Sequence, residues 1–79
     1  MEVKILGTGC PKCQRLEQVT REAAAEAGIE IQVVKVKDIN DIMAYDIVAT
    51  PGLVINGVVK ASGHIPQKAE IVVWLQAAR

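Results

Sequence analysis

Aromatic residues are scarce in this sequence, which has no phenylalanine and only Tyr45 and Trp74 as aromatic side chains. Hydrophobic residues nevertheless make up 51% of the 79 residues, and most of them are aliphatic. We therefore expect a core of valine, isoleucine, leucine and alanine, with Tyr45 and Trp74 only partly packed into it. A chain this short is near the lower limit for independent folding, so we expect residues 1–79 to form one domain.

An excess of charge of either sign is also missing, because nine basic and nine acidic side chains give a formal net charge of zero. Without a basic stripe, we expect no electrostatic binding to nucleic acid. No apolar run approaches the ~20 residues needed to span a bilayer. The first residues also lack the apolar segment and cleavage site of a signal peptide. These features predict a cytoplasmic protein that does not bind membranes.

Cysteine and histidine are few, since the chain has only Cys10, Cys13 and His64. In the cytoplasm, two cysteines are more often catalytic or metal-binding than a structural crosslink. A structural zinc site needs about four ligands, so these three side chains are one short. His64 lies in a predicted loop, and we expect it to be exposed and outside catalysis.

Both cysteines lie in residues 7–13, Gly-Thr-Gly-Cys-Pro-Lys-Cys, between an apolar run and a helical pattern. A Cys-x-x-Cys motif at a strand-to-helix turn is typical of redox sites. Cys10 is placed at the start of the helix, where unpaired N–H groups and the helix dipole favour a thiolate. Cys13 follows about one helical turn later, within reach of a mixed disulfide formed at Cys10. The motif therefore predicts thiol–disulfide exchange.

Hydrophobic periodicity and turn residues predict the element order β-α-β-α-β-β-α. The predicted strands cover residues 2–6, 29–36, 53–55 and 58–61, and the predicted helices cover 11–27, about 39–45, and 66 onward. Residues 46–49 are predicted to be a connection. Pro11 and Pro66 each suit a first helical position, Gly28 suits a C-terminal cap, and Asn56-Gly57 predicts a type I′ hairpin turn.

The first strand–helix–strand unit makes its two strands parallel. With the later hairpin it predicts a four-stranded mixed sheet in the order 2-1-3-4. The first and third helices are expected on one face of the sheet and the second helix on the other. The fold class is therefore an α/β three-layer sandwich.

This pattern resembles the thioredoxin fold in its minimal form, and the chain is most similar to the thioredoxin- or glutaredoxin-like small redox-active disulfide proteins. The resemblance covers the whole chain and includes the motif from Cys10 to Cys13. It implies that Cys10 is the exposed nucleophile and Cys13 the resolving thiol. It also implies that no cofactor is needed, and that the partners are a disulfide-bearing protein substrate and a reductase or thiol pool. We expect a monomer.

Two further motifs carry the resemblance, Thr50-Pro51 before the third strand and Gly63 after the fourth. In the family, the Thr-Pro bond is cis and packs beside the active-site disulfide, and the late glycine lies on the same surface. The resemblance therefore implies that Thr50, Pro51 and Gly63 bind the substrate.

The chain departs from its relatives at several positions. Gly9 stands where thioredoxins have tryptophan, and Lys4 stands where they place a buried carboxylate, six residues before the first cysteine. Glutaredoxins follow the late glycine with an acidic residue, and here His64 follows it. The resemblance therefore implies neither strong thioredoxin activity nor glutathione binding. We expect the Lys4 ammonium to lie in water at the end of its strand.

Pro11 and Lys12, between the two cysteines, are expected to tune the thiol pKa values. The positive charge of Lys12 would lower the pKa of Cys10. The plain alternative is a solvated helix residue, and the two interpretations can hold at once.

The main alternative function is a soft-metal carrier that binds Cu or Zn through both thiolates. Ferredoxin-like metallochaperones also present Cys-x-x-Cys after their first strand, but their element order is β-α-β-β-α-β. The present chain ends on a helix, which favours redox chemistry.

Overall fold

The computed structural model of the protein describes residues 1–47 and 49–79. Its elements are β1 (Glu2–Leu6), α1 (Pro11–Ala27), β2 (Gln32–Val36), α2 (Ile39–Met43), β3 (Gly52–Ile55), β4 (Val58–Ser62) and α3 (Lys68–Ala78). The strands form one sheet in the order β2-β1-β3-β4. β1 pairs with β2 in parallel and with β3 in antiparallel orientation, and β3 and β4 form an antiparallel hairpin. The predicted element order, strand order and α/β class are confirmed.

The sheet separates two hydrophobic clusters. The larger cluster contains residues from the sheet together with α1 and α3, namely Val3, Ile5, Leu16, Ala23, Ala24, Leu53, Ile55, Ala61, Ile71 and Leu75. The smaller cluster joins Leu6 and Val54 of the sheet to Ile42 of α2. Successive residues of a strand point to opposite faces, so β1 supplies both clusters. The predicted division of the helices between the two faces is confirmed.

Local signals set several boundaries as predicted. Pro11 is the first residue of α1, and Gly28 ends that helix in the left-handed conformation with φ 69°. Asp38 caps α2, where its side chain accepts a hydrogen bond from the Asn40 N–H at 2.8 Å. The hairpin between β3 and β4 turns at Asn56 and Gly57, whose φ values of 49° and 84° are the positive angles that a type I′ turn requires.

Strand β2 begins at Gln32, three residues later than predicted. The N–H of Ile29 donates instead to the carbonyl of Ala24 at 3.0 Å, closing the end of α1. Ile29 and Ile31 still pack against the larger cluster. Their apolar alternation therefore reflects burial without strand structure.

Helix α3 begins at Lys68, so the prediction that Pro66 is its first residue was wrong. Pro66 is buried ahead of the helix. The backbone N–H of Gln67 is within 3.4 Å of the Glu70 carboxylate, and the Gln67 carbonyl accepts from Ile71. Gln67 is thus the cap, and the helix follows it.

Other boundaries differ by one or two residues. Helix α2 ends at Met43, two residues before the predicted end, while β3 begins at Gly52 and β4 ends at Ser62. Val48, within the predicted connection 46–49, lies outside the described residues.

None of the described helices is both long and apolar enough to cross a membrane.

Candidate redox site

The two cysteines lie where β1 ends and α1 begins. The N–H of Gly7 donates to the carbonyl of Val36 at 2.9 Å, which continues the pairing with β2 for one residue past the strand. The chain then turns through Gly9, whose φ of 94° favours glycine. Cys10 follows in extended conformation as the N-cap of α1. This turn places Cys10 at the positive end of the helix dipole.

The two sulfur atoms are 2.7 Å apart, and either thiol can donate the hydrogen bond between them. The backbone N–H of Cys13 also donates to the Cys10 sulfur at 3.4 Å. Cys10 is half-buried, whereas only 4% of Cys13 is exposed. An incoming disulfide therefore reaches Cys10 more easily than Cys13.

Hydrogen bonds lower the pKa of Cys10 below that of an ordinary thiol. The largest contribution comes from the Cys13 thiol, followed by the Cys13 N–H, and the N–H of Lys12 adds a smaller one. Burial raises the pKa of Cys13, and the neighbouring Cys10 raises it further. Cys10 is thus the more readily ionised thiol, as the sequence predicts for the nucleophile.

The contribution of Lys12 to the Cys10 pKa comes through its backbone N–H. Its side chain is exposed, as is Pro11 beside it. This arrangement is closer to the interpretation of Lys12 as a surface residue than to charge tuning. Pro11 fills a helix position at which an N–H would lack an intrahelical partner.

Gly7 is a residue of the site that was not predicted from the sequence. It is buried, and a β-carbon built on it would overlap the Cys13 sulfur and lie 3.2 Å from the Cys13 β-carbon. Only glycine leaves this space for the sulfur. The available signal was a glycine directly after a buried strand, since such glycines often mark a close approach of backbone.

The Thr50–Pro51 peptide bond is cis, as the resemblance implies. Thr50 is exposed and Pro51 is buried. The N–H of Gly63 donates to the Pro51 carbonyl at 2.8 Å, so these two predicted substrate-binding residues are in direct contact. Their placement beside the two sulfurs stays a prediction.

Lys4 keeps its side chain partly exposed, and its ammonium is also bonded to two neighbouring side chains, which the sequence did not predict. Its Nζ donates to the Tyr45 hydroxyl at 2.8 Å and lies 3.7 Å from the Glu2 carboxylate. The Tyr45 hydroxyl is the main cause of a raised pKa for Lys4. Tyr45 packs against the smaller cluster, on the sheet face covered by α2. His64 is exposed, as expected.

A cavity of about 200 Å³ lies beside Cys13, between α1 and β2. Glu17 and Lys35 line it, and their charged groups form an ion pair at 3.1 Å. Arg21 approaches the other carboxylate oxygen of Glu17 at 2.9 Å. Burial works to raise the pKa of Glu17, but the hydrogen bonds from Lys35 and Arg21 outweigh it and hold that pKa below its ordinary value. This cavity was not predicted from the sequence.

Among the described residues, no group of three or more Cys, His, Asp or Glu side chains is arranged to hold a metal ion. The site brings together a dithiol at a helix N-terminus and a charged cavity next to the buried thiol.

Comparisons with known proteins also favour redox chemistry at this site. A family model described as "Thioredoxin domain" matches residues 1–76. A protein named "Thioredoxin" from Methanothermobacter thermautotrophicus is 41% identical over 71 residues, which are 90% of this chain and 92% of the relative. A second, also named "Thioredoxin", from Methanocaldococcus jannaschii is 39% identical over 69 residues, 87% of this chain and 79% of that protein. These similarities do not support the metal-carrier alternative.

Proposed function

The chain belongs to the thioredoxin family and is a thiol–disulfide oxidoreductase, and we propose that Cys10 and Cys13 perform the exchange. The observation that supports these two roles best is the unequal burial of two sulfurs that lie 2.7 Å apart at the start of α1. The half-buried thiol meets the substrate, and the buried thiol completes the reaction.

The exchange proceeds in two displacements. The Cys10 thiolate attacks one sulfur of a substrate disulfide, forming a mixed disulfide and releasing the other substrate sulfur as a thiolate. The Cys13 sulfur then attacks Cys10, forming the Cys10–Cys13 bond and releasing the second substrate thiolate. The substrate disulfide is reduced by two electrons, and the protein dithiol is oxidised by two.

The substrate is held by Thr50, Pro51 and Gly63. Pro51 has no N–H and is buried, whereas Thr50 before it is exposed, so the backbone of Thr50 can pair with an extended substrate segment. The N–H of Gly63 is already bonded to the Pro51 carbonyl. Gly63 therefore contributes to the binding surface by having no side chain, and it donates no hydrogen bond to the substrate. The three residues thus form one binding edge.

The partners we propose are a disulfide-bearing protein as substrate, and a reductase or a thiol pool that returns Cys10–Cys13 to the dithiol. The protein acts as a monomer of one domain, residues 1–79. It works in the cytoplasm, where thiols are kept reduced. Pro11 and Lys12 tune the thiols through helix geometry and a backbone N–H.

Paired serine variants test the roles of the two cysteines. Cys13→Ser should accumulate mixed disulfides with substrate proteins, because the resolving thiol is missing. Cys10→Ser should trap none, although it retains one thiol and the same fold. Mass spectrometry after exposure to an oxidised protein substrate measures both. Equal trapping by the two variants, or trapping by Cys10→Ser alone, would contradict the assignment.

A further inference from the structure

The cavity beside Cys13 brings together a buried thiol and a carboxylate. Cys13 and Glu17 are four residues apart on α1, so they face the same side of the helix with β-carbons about 5–6 Å apart. Both line the cavity, together with Gly7 of the active-site turn and Lys35 and Lys37 from the β2 side. The Glu17 carboxylate therefore faces the same space as the thiol that resolves the mixed disulfide.

The second displacement requires the Cys13 thiol to lose its proton. Cys13 must lose its proton to attack, and the burial that protects it also raises its pKa. In the mixed disulfide Cys10 is bonded to the substrate, so its sulfur can no longer exchange a proton with Cys13. The reaction therefore needs another acceptor near a thiol that is only 4% exposed.

The cavity contains such an acceptor. Lys35 and Lys37 offer only N–H donors and no lone pair that could take up a proton. Within the part of the chain that the structure describes, Glu17 is the sole carboxylate lining this cavity. Since a water molecule occupies about 30 Å³ in the liquid, a cavity of about 200 Å³ has room for a bridging water between thiol and carboxylate.

We propose that Glu17 accepts the proton of Cys13, through a water in this cavity, as Cys13 attacks the mixed disulfide. The Cys13–Cys10 bond forms, the bond from Cys10 to the substrate sulfur breaks, and the substrate leaves as a thiolate with the electron pair. The proton passes to Glu17 and from there to solvent. The inference rests on the proposed function, and it assigns a proton-transfer group to the second displacement only.

The positive charges around Glu17 keep its carboxylate ionised. Arg21 from α1 and Lys35 from β2 bind the carboxylate at 2.9 and 3.1 Å, and Lys37 lines the same cavity. Because the pKa of Glu17 lies below its ordinary value, the carboxylate is ionised throughout the neutral range. Its assistance is therefore present at every pH above that lowered pKa and is lost only in acid.

The two displacements can be timed separately with 5,5′-dithiobis(2-nitrobenzoate), a small aromatic disulfide. Attack by Cys10 releases one coloured thiolate, and attack by Cys13 releases the second. This leaving group departs as an anion, so the second phase reports proton loss from Cys13. Stopped-flow absorbance of the reduced protein, from about pH 5.5 to 8.5, gives both rates, and the pH range covers the rise in thiolate fraction expected of a thiol.

Glu17→Gln should slow the second phase about tenfold at neutral pH, which is less than the roughly hundredfold or greater effect typical of general bases, because an ion-paired carboxylate is a weak base. The wild-type second phase should be nearly flat up to about pH 8, where the thiolate route overtakes the assisted one, whereas in Glu17→Gln it should rise about tenfold per pH unit throughout, following thiolate formation. Glu17→Asp, which keeps the carboxylate, should recover part of the rate and of the flat profile.

The matched control is Glu22→Gln, which makes the same charge change on an exposed position of α1. It should leave both phases unchanged. The first phase should also stay unchanged in Glu17→Gln, which shows that the variant is folded and that Cys10 is intact.

A second phase in Glu17→Gln that is as fast as wild type, or faster, would overturn the inference, as would a wild-type profile already rising tenfold per pH unit. The proposed function fails differently. In that case the wild type itself would lack a first phase that depends on Cys10, or a second that depends on Cys13.

Discussion

The sulfur of Cys13 occupies the space in which a side chain on Gly7 would begin. The two residues lie on different elements, since Gly7 follows β1 and Cys13 is in the first turn of α1. The close approach of Gly7 therefore restricts where the buried Cys13 sulfur can lie. The glycine is therefore part of the redox site although it has no reactive group.

Gly7→Ala is expected to destabilise the fold by about 1–3 kcal/mol, the usual cost of overpacking a tight site. It should also displace the Cys13 sulfur from Cys10 and slow formation of the Cys10–Cys13 disulfide. Urea unfolding measures the first effect, and mass spectrometry of the protein equilibrated with dithiothreitol measures the second.

Cys13→Ala provides the control, because it removes the sulfur that the new methyl group would meet. The cost of Gly7→Ala should be smaller in the Cys13→Ala background, although the contact with the Cys13 β-carbon at 3.2 Å remains. The difference is the coupling free energy between the two sites. Equal costs in both backgrounds would show that the sulfur is not what restricts residue 7.

Local sequence signals predicted most of the fold, because they act over a few residues. Pro11, Gly28 and Asp38 mark helix ends, and Asn56-Gly57 marks the hairpin. The prediction failed at Ile29, where apolar alternation continues past the point at which the backbone bonds to α1. It failed at Pro66 because a proline two residues ahead of a helix looks the same in sequence as one inside its first turn.

The dithiol of the site was predictable, and its surroundings were not. The spacing of Cys10 and Cys13 shows directly that two thiols share one helical turn. The contact of Lys35 with Glu17 instead depends on how β2 lies beside α1, so no short segment reveals it. The pairing of Lys4 with Tyr45 joins residues 41 positions apart and is hidden for the same reason.

The low pKa of Cys10 should depend mainly on the Cys13 thiol, its largest cause. In Cys13→Ala the pKa of Cys10 should rise, so alkylation by iodoacetamide at pH 7 should slow by a few-fold, because alkylation follows the thiolate fraction. Cys13→Ser retains a hydroxyl donor and should show a smaller rise. The pH dependence of the alkylation rate, read by mass spectrometry, gives each value.

Lys12→Met should shift the pKa of Cys10 less than Cys13→Ala does, because the contribution of residue 12 comes through its backbone N–H, which methionine keeps. The same alkylation profile is the measurement. Arg15→Met, also exposed on α1, is the matched control for loss of one positive charge near the helix start. A rise in the Lys12→Met variant as large as in Cys13→Ala would instead identify the ammonium as the main source of the low pKa.

In the wild type, the two thiols should titrate in a fixed order as pH rises. The Cys10 pKa is lowered and the Cys13 pKa is raised, so at neutral pH iodoacetamide should modify Cys10 first. Labelling of Cys13 should become appreciable only above the ordinary thiol pKa of about 8.5. Peptide mapping after limited alkylation identifies the modified residue. Preference for Cys13 at neutral pH would contradict the assigned roles.

Gly63→Ala should both destabilise the fold and impair exchange with protein substrates. Gly63 has φ 79°, and a β-carbon built on it would lie 3.0 Å from the Ala49 β-carbon. The backbone angle alone costs an L-residue roughly 1–2 kcal/mol. The crowding adds to this and pushes against the segment that carries Thr50 and Pro51. Urea unfolding and the rate of disulfide exchange with a protein substrate measure the two effects.

Gly57→Ala separates these two causes. Gly57 has a similar φ of 84°, but nothing lies within 4 Å of a β-carbon built on it. Alanine at position 57 should therefore cost free energy through its backbone angle but not through crowding. Gly57 lies in the hairpin turn before β4, whereas Gly63 follows β4. If Gly63 shapes the substrate-binding edge, Gly63→Ala must lose exchange rate that Gly57→Ala keeps. Equal losses of stability together with unchanged exchange in both variants would remove Gly63 from the proposed edge and leave Thr50 and Pro51 to form it.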